Sequence, residues 1–166
     1  MMQVKGNEFP MIDGMGQYIG TKISTAKPMN RKDYNDFRGW DLPSNEDGCD
    51  EGYLVQYADG YISWSPSEQF EDAYRKTDCM NFGLAVEAMK KGFKVCRSGW
   101  NGKGMFLFLV PGSTFKVNRP PLLGIYDEGT EINYHAHIDM KTATGEIVPW
   151  LASQSDVLAD DWKFVL

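Results

Sequence analysis

Two histidines, three cysteines and fewer basic than acidic side chains are what this chain of 166 residues is short of, and each scarcity excludes something. Cys49, Cys79 and Cys96 are odd in number, far apart and nowhere in CxxC spacing. That argues against a disulfide framework and against a thiolate zinc site, and leaves three reduced, packed thiols as the expectation. The 17 Lys and Arg are outnumbered by 23 Asp and Glu, for a net charge of -6. The excess lies wholly in residues 1–78, where 8 basic side chains face 14 acidic ones, while residues 79–166 carry 9 of each. Duplex nucleic acid needs clustered Lys and Arg against its phosphates, and no such cluster is present. A small anionic ligand stays open for the neutral half, since a few cations and backbone N–H groups satisfy two phosphates. No apolar run approaches the roughly 18 residues of a membrane span. The opening "MMQVKGNEFPMIDGMGQ" lacks the basic-then-apolar pattern of a secretory signal. A soluble cytoplasmic protein without a membrane partner is expected.

What is present is core-forming material, with 42% hydrophobic and 13% aromatic residues. Residues 1–17 show no periodicity and read as a flexible extension. A small α+β module is expected over 18–77. It begins with "YIGTKI" as a short strand, continues through a polar stretch to the loop "DLPSNEDGCDEG", and forms a hairpin from "GYLVQYADGYISWSP". Ser65 as N-cap, Pro66 at the first helical position and Glu68 as capping-box partner open a helix over "SPSEQFEDAYRK". After "KTD" a second unit, 79–166, starts with the helix "MNFGLAVEAMKKG", whose Phe82, Val86 and Met89 recur at helical spacing before Gly92. "FKVCR" and "GMFLFLV" read as strands joined by the turn "SGWNGK"; the proline pair of "NRPPLLGIYDEG" starts a short helix. "EINYHAHIDMK" and "EIVPW" are strands, Ser153 with Asp156 caps a short helix, and "DWKFVL" closes the chain. The fold class is α+β, an antiparallel sheet with a leading helix and short helices behind a small α+β module. No internal repeat or low-complexity tract interrupts it.

Both histidines lie in "NYHAHIDM", where alternation puts Asn133, His135, His137 and Asp139 on one strand face and Tyr134, Ala136, Ile138 and Met140 on the other. Metal, ligand and water all remain open for the polar face. His135 and His137 emerge about 6.7 Å apart and can share one metal ion, but Asp139 lies about 13 Å from His135 on a straight strand. A metal-dependent phosphodiesterase or hydrolase on this HxHxD row is therefore the alternative reading, and it lacks an evident third ligand.

Trp100 stands among glycines in "RSGWNGKG", flanked by Arg97, Asn101 and Lys103. Such a turn stacks a base and meets phosphates, or simply anchors a hairpin by its tryptophan. "PGSTFKVNRPPL" offers Arg119, a fork donor suited to phosphate or to a surface salt bridge. "VPWLASQSD" sets Trp150 beside Ser153, Gln154 and Asp156, which contact a ligand or merely cap a helix. No Walker loop, dinucleotide fingerprint, nucleophile elbow or catalytic triad is present.

The ordered run "MNFGLAVEAMKKGFKVCRSGWNGKGMFLFLVPGS", "NRPPL", "NYHAHIDMKTATGEIVPWLASQSD" and "LADDWKFV" resembles the second Thoeris anti-defence family of small phage and prophage proteins, over residues 80–166. The resemblance implies a sponge and not an enzyme. Its members bind the cyclic ADP-ribose-type messenger of Thoeris immunity in the bacterial cytoplasm, without cofactor, so that the effector is never activated. Some relatives also hold cyclic dinucleotides at a separate site, and the family assembles as homotetramers with pockets near protomer contacts. On this chain it favours Trp100 and Asn101, the row Asn133, His135, His137 and Asp139, and the "PWLASQSD" stretch as pocket residues. The first half departs from the compact members, which begin near Met80; it looks like an accessory module of phage and prophage proteins.

Overall fold

The computed structural model describes residues 19–165, so the expected extension over 1–17 lies outside the described residues. Two main antiparallel sheets carry the chain. The first holds β1 (Thr25–Pro28), β2 (Gly52–Gln56) and β3 (Ile62–Pro66) in the order β1-β2-β3. The hairpin of β2 and β3 is the one read from sequence, but the strand expected at "YIGTKI" is not there: Ile19–Ser24 is unpaired, and Tyr18 lies outside the described residues. β1 pairs Thr25 with Gln56 and Pro28 with Tyr53, and β2 turns away after Gln56. Residues before Thr25 thus run past the end of their partner.

The polar stretch that follows hides a helix. α1 (Arg31–Arg38) starts at Asn30, whose side chain accepts from the Asp33 N–H, and ends at Gly39, left-handed at φ 71°. Those two caps and the Asp33 and Arg38 charges at opposite ends are ordinary helix signals, overlooked because the apolar face is narrow. It buries Tyr34 and Asn35. α2 (Ser67–Ala73) begins later than expected. Ser65 and Pro66 are still paired to Tyr53 and Gly52 in β3, so Pro66 is the N-cap, no side chain caps the helix, and the Ser65–Glu68 capping box does not form. Phe70 stacks on Tyr53 at 4.3 Å and fastens α2 to the sheet.

The second sheet has the order β10-β4-β5-β8-β9, all antiparallel, from β4 (Lys94–Arg97), β5 (Phe106–Val110), β8 (His137–Lys141), β9 (Ile147–Pro149) and β10 (Trp162–Val165). α3 (Phe82–Lys90) packs on one face. Asn81 caps it by accepting from the Leu84 N–H at 2.9 Å, and Gly92 follows at φ 89°. The buried helix positions are Ala85, Ala88 and Met89, with Phe82 and Val86 half-buried, so small residues let the helix settle close against Val95, Leu107 and Trp162. Met80 bridges to Trp162 and ties the helix entry to β10. Burying each large apolar side chain contributes about 1.5–3 kcal/mol.

The polar row read as one strand is two. β6 (Ser113–Lys116) and β7 (Glu131–Tyr134) form a separate two-stranded ladder. Pairings Val110 with His137 and Ser113 with Tyr134 keep one register through both ladders. Pairing lapses between them at Pro111 and Gly112. Opposite them, His135 and Ala136 belong to neither strand, and Gly112 approaches so closely that a Cβ there would stand 2.8 Å from the Tyr134 carbonyl oxygen. The proline pair at Pro120 and Pro121 opens no helix. That stretch is a series of turns, with the Arg119 carbonyl accepting from Leu123 N–H at 3.0 Å. Cys49 and Cys79 are exposed and only Cys96 is half-buried, so the expectation of three packed thiols holds for one.

Candidate functional site

α4 (Gln154–Val157) is four residues long, too short to persist without anchoring. Ser153 and Asp156 supply the anchor by a complete capping box: Ser153 Oγ accepts from the Asp156 N–H at 3.2 Å, and Asp156 Oδ2 accepts from Ser153 N–H at 3.2 Å and from Ser153 Oγ–H at 2.6 Å. The other carboxylate oxygen reaches further. Asp156 Oδ1 accepts from Arg97 Nη1 at 2.9 Å and from the Trp100 indole at 3.2 Å. Arg97 also donates from Nε to Asp161 Oδ1 at 2.7 Å, and Asp161 Oδ2 accepts from the Gly99 N–H at 2.7 Å. One guanidinium at the end of β4 thereby fixes α4, the Trp100 turn and the approach to β10.

Burial pushes the Asp156 carboxyl upward, but hydrogen bonds from Ser153, Arg97 and Trp100 outweigh it and hold the group below the usual aspartate range. The hydrogen bond from Arg97 dominates at Asp161 and lowers it as well, while both carboxylates hold Arg97 above its ordinary value. The trio is charged and mutually satisfied. Its side chains are only 18% (Arg97), 13% (Asp156) and 34% (Asp161) exposed.

Beside the trio lies an aromatic cluster. Trp100 meets Trp162 at 5.4 Å and Trp150 at 6.5 Å edge to face, and Phe82 reaches Trp162 at 5.4 Å. Trp162 is fully buried and donates its indole N–H to the Asp156 carbonyl at 3.0 Å, while Trp100 and Trp150 are half-buried. Two indole surfaces are thus held rigid at the rim of α4.

Of the residues singled out from sequence, Arg97, Trp100, Trp150, Ser153 and Asp156 come together here, with Gln154 exposed on the first turn of α4. Asp161, Trp162 and Phe82 belong to the same cluster and were missed. Asp161 enters β10 directly before Trp162, the partner of Arg97, a pairing at a distance that no local sequence signal discloses. Asn101 is exposed in the Trp100 turn, and Arg119 is exposed on the loop after β6. The polar row does not act as one: Asn133 sits on β7 and accepts from Thr114 Oγ1 at 2.5 Å, His135 lies in the break, and His137 and Asp139 are on β8. His137 Nε2 stands 3.6 Å from Asp139 Oδ1. Among the described residues no three His, Cys, Asp or Glu side chains converge on a point where a metal ion would sit.

Two shallow depressions, of about 320 and 450 Å³, lie by the first sheet, one between Ile23 and Tyr57 and one between Trp64 and Glu68. Neither adjoins the Arg97 network. Around α4 the surface is apolar instead, with Leu151 91% and Leu158 77% exposed.

Comparison with known proteins adds a further finding. Residues 80–165, which span α3, α4 and the whole five-stranded sheet, match the profile of the Tad2-like family, described as a Thoeris anti-defense 2-like domain. A protein of Bacillus phage SP01, Thoeris anti-defense 2, is 44% identical over 86 residues, covering 52% of this chain and 94% of that protein.

Proposed function

The chain belongs to the Thoeris anti-defense 2-like family, and from that premise we propose that it binds and sequesters the cyclic ADP-ribose-type signal of Thoeris immunity without cleaving it. The observation that carries the reading is the match over residues 80–165, an intact sheet-and-helix unit. An anti-Thoeris role follows from the family; the mechanism of sequestration is the inference.

Holding a nucleotide asks for flat apolar surface, fixed donors and no nucleophile. Trp100 and Trp150, immobilised by Asp156 and Trp162, supply rigid rings for an adenine. Exposed Asn101, Gln154 and Arg119 are available for hydroxyls and phosphates. A messenger of about 35 heavy atoms at about 0.3 kcal/mol per atom reaches about -10 kcal/mol, or tens of nanomolar. That is tight enough to deplete a dilute signal. Cyclic dinucleotides, with the same base and phosphate chemistry, are further candidate ligands.

Exposed Leu151, Val157 and Leu158 beside the network favour assembly, because an apolar patch of this kind is costly to leave in water. The proposed assembly is a homotetramer in the cytoplasm of the bacterial host, its pockets completed where protomers meet. Residues 18–77 are proposed as an accessory module and 79–166 as the ligand-binding domain.

The decisive experiment incubates the purified chain with the signal released by a Thoeris TIR enzyme from NAD, removes unbound material and heat-denatures the protein. Intact messenger should appear in the supernatant; recovery of only a cleaved or altered product refutes sequestration.

A further inference from the structure

The three-stranded sheet of the first unit has two outer edges, and they are not alike. At the β3 end of the hairpin, the Tyr57 N–H donates to the Tyr61 carbonyl at 2.9 Å, so Ser63 and Ser65 bond inward to β2, while Ile62, Trp64 and Pro66 turn outward. That edge is closed at both ends. Arg38 Nη1 donates to the Ile62 carbonyl at 3.2 Å, and Pro66 has no N–H to offer.

The β1 edge is open. The Met29 N–H donates to the Gly52 carbonyl at 2.9 Å, so at two-residue steps Lys27 and Thr25 bond inward to Leu54 and Gln56. The carbonyls of Ser24, Ala26 and Pro28 and the N–H of Ala26 therefore point away from the sheet, and among the described residues nothing bonds to them. A row of free backbone groups on an outer strand is a template for one more strand.

Side chains along this edge select what is added. Lys27 is exposed, and opposite it an antiparallel strand makes the close, non-hydrogen-bonded kind of pair, with Cβ atoms about 4.5–5.5 Å apart. Lys22 holds its ammonium group 5.7 Å from the ring centre of Tyr57. That ring lines the depression of about 320 Å³ at the Ser24 end of β1, together with Ile23, Thr25 and Gln56. Neither lysine has a carboxylate partner among the described residues. A second copy of β1 does not supply one: pairing about Ala26 sets Lys27 opposite Thr25 and leaves both lysines unmatched.

We infer that the outer edge of β1 captures an extended acidic segment of another protein as a fourth strand, with one carboxylate opposite Lys27 and a second opposite Ile23, beside Lys22. Backbone bonds to Ala26 hold the segment, and the two lysines choose its charge. This surface belongs to the first unit and stands independently of messenger binding.

The capped peptide TETVTET and its counterpart TKTVTKT test it on the full chain. Calorimetry should show TETVTET binding about tenfold or more tightly than TKTVTKT, and Lys27→Glu should reverse the order. Exchange of the Ala26 amide, read by NMR, should be fast in the unliganded chain and slow about tenfold or more with saturating TETVTET. Ala26→Pro removes the outward N–H and should weaken TETVTET about tenfold; the charge reversal at Lys27 decides the matter if that variant does not fold. Equal binding of the two peptides, or binding of neither, overturns the inference. So does an Ala26 amide already slow without peptide: protection at every protein concentration gives the edge to this chain's own residues, and protection only at high concentration gives it to a second copy.

Discussion

Arg97 donates to Asp156 at 2.9 Å across fifty-nine residues of chain, and the same guanidinium takes Asp161 at 2.7 Å. Two distant segments are pinned by one side chain, so removing it leaves two carboxylates without their counterion. Arg97→Ala should destabilise the full chain by about 2 kcal/mol, below the 3–5 expected of a fully buried pair because Asp161 keeps some water. Arg97→Lys should recover part of this, since a point charge cannot serve both carboxylates in fork geometry. Urea unfolding followed by tryptophan fluorescence reads both; an Arg97→Ala midpoint equal to that of the unaltered chain contradicts the role.

The depressed carboxyls make the same contact pH-sensitive. Asp156 and Asp161 have folded-state values below the unfolded aspartate value of about 3.9. Their contribution is therefore fully present above that value and is lost as pH falls through the folded-state values, where the native carboxylates take up protons. The urea midpoint should decline steadily below about pH 4.5. In Asp156→Asn combined with Asp161→Asn the decline should be shallower, and an identical slope in the two proteins would mean that other groups dominate the acid limb.

Much of the second unit was legible because its signals are local. Asn81 and Gly92 bracket α3, Ser153 and Asp156 box α4, and the apolar runs at Val95 and Leu107 mark central strands. What the residues could not disclose depends on pairing at a distance. "EINYHAHIDMK" alternates perfectly, yet its ladder lapses opposite Pro111 and Gly112, twenty residues and more upstream, and divides Asn133 from His137. Arg97 read as a phosphate donor since nothing near it in sequence reveals Asp156 and Asp161. In the first unit α1 carries both caps in its sequence, Asn30 and Gly39, but its buried face of Tyr34 and Asn35 is too narrow for apolar periodicity to disclose it.

Those caps define a test in the first unit. Asn30 accepts the Asp33 N–H at 2.7 Å and closes an otherwise unpaired helix end. Asn30→Ala should cost about 1 kcal/mol, and Asn30→Ser or Asn30→Asp should be near neutral, because either supplies the same acceptor. Thermal unfolding of the full chain measures the difference. Equal loss in the alanine and aspartate variants would place the effect elsewhere than in the cap.

β9 is the outer strand of its sheet, and its exposed side chains Ile147 and Val148 invite another strand to add. The Trp150 N–H donates inward to Ile138 at 3.0 Å, so by alternation the backbone of Pro149 faces outward. Proline has no N–H there, and the edge lacks a donor at the position where an incoming strand needs one. In the tetramer proposed above, contact on this side then falls to side chains such as Leu151 and not to strand addition. Pro149→Val restores the donor and should yield larger, concentration-dependent species than the unaltered chain forms, whereas Leu151→Asp should yield none larger and weaken the proposed tetramer. Sedimentation velocity distinguishes the two. A Pro149→Val protein that sediments as the unaltered chain does would show that the edge needs no protection.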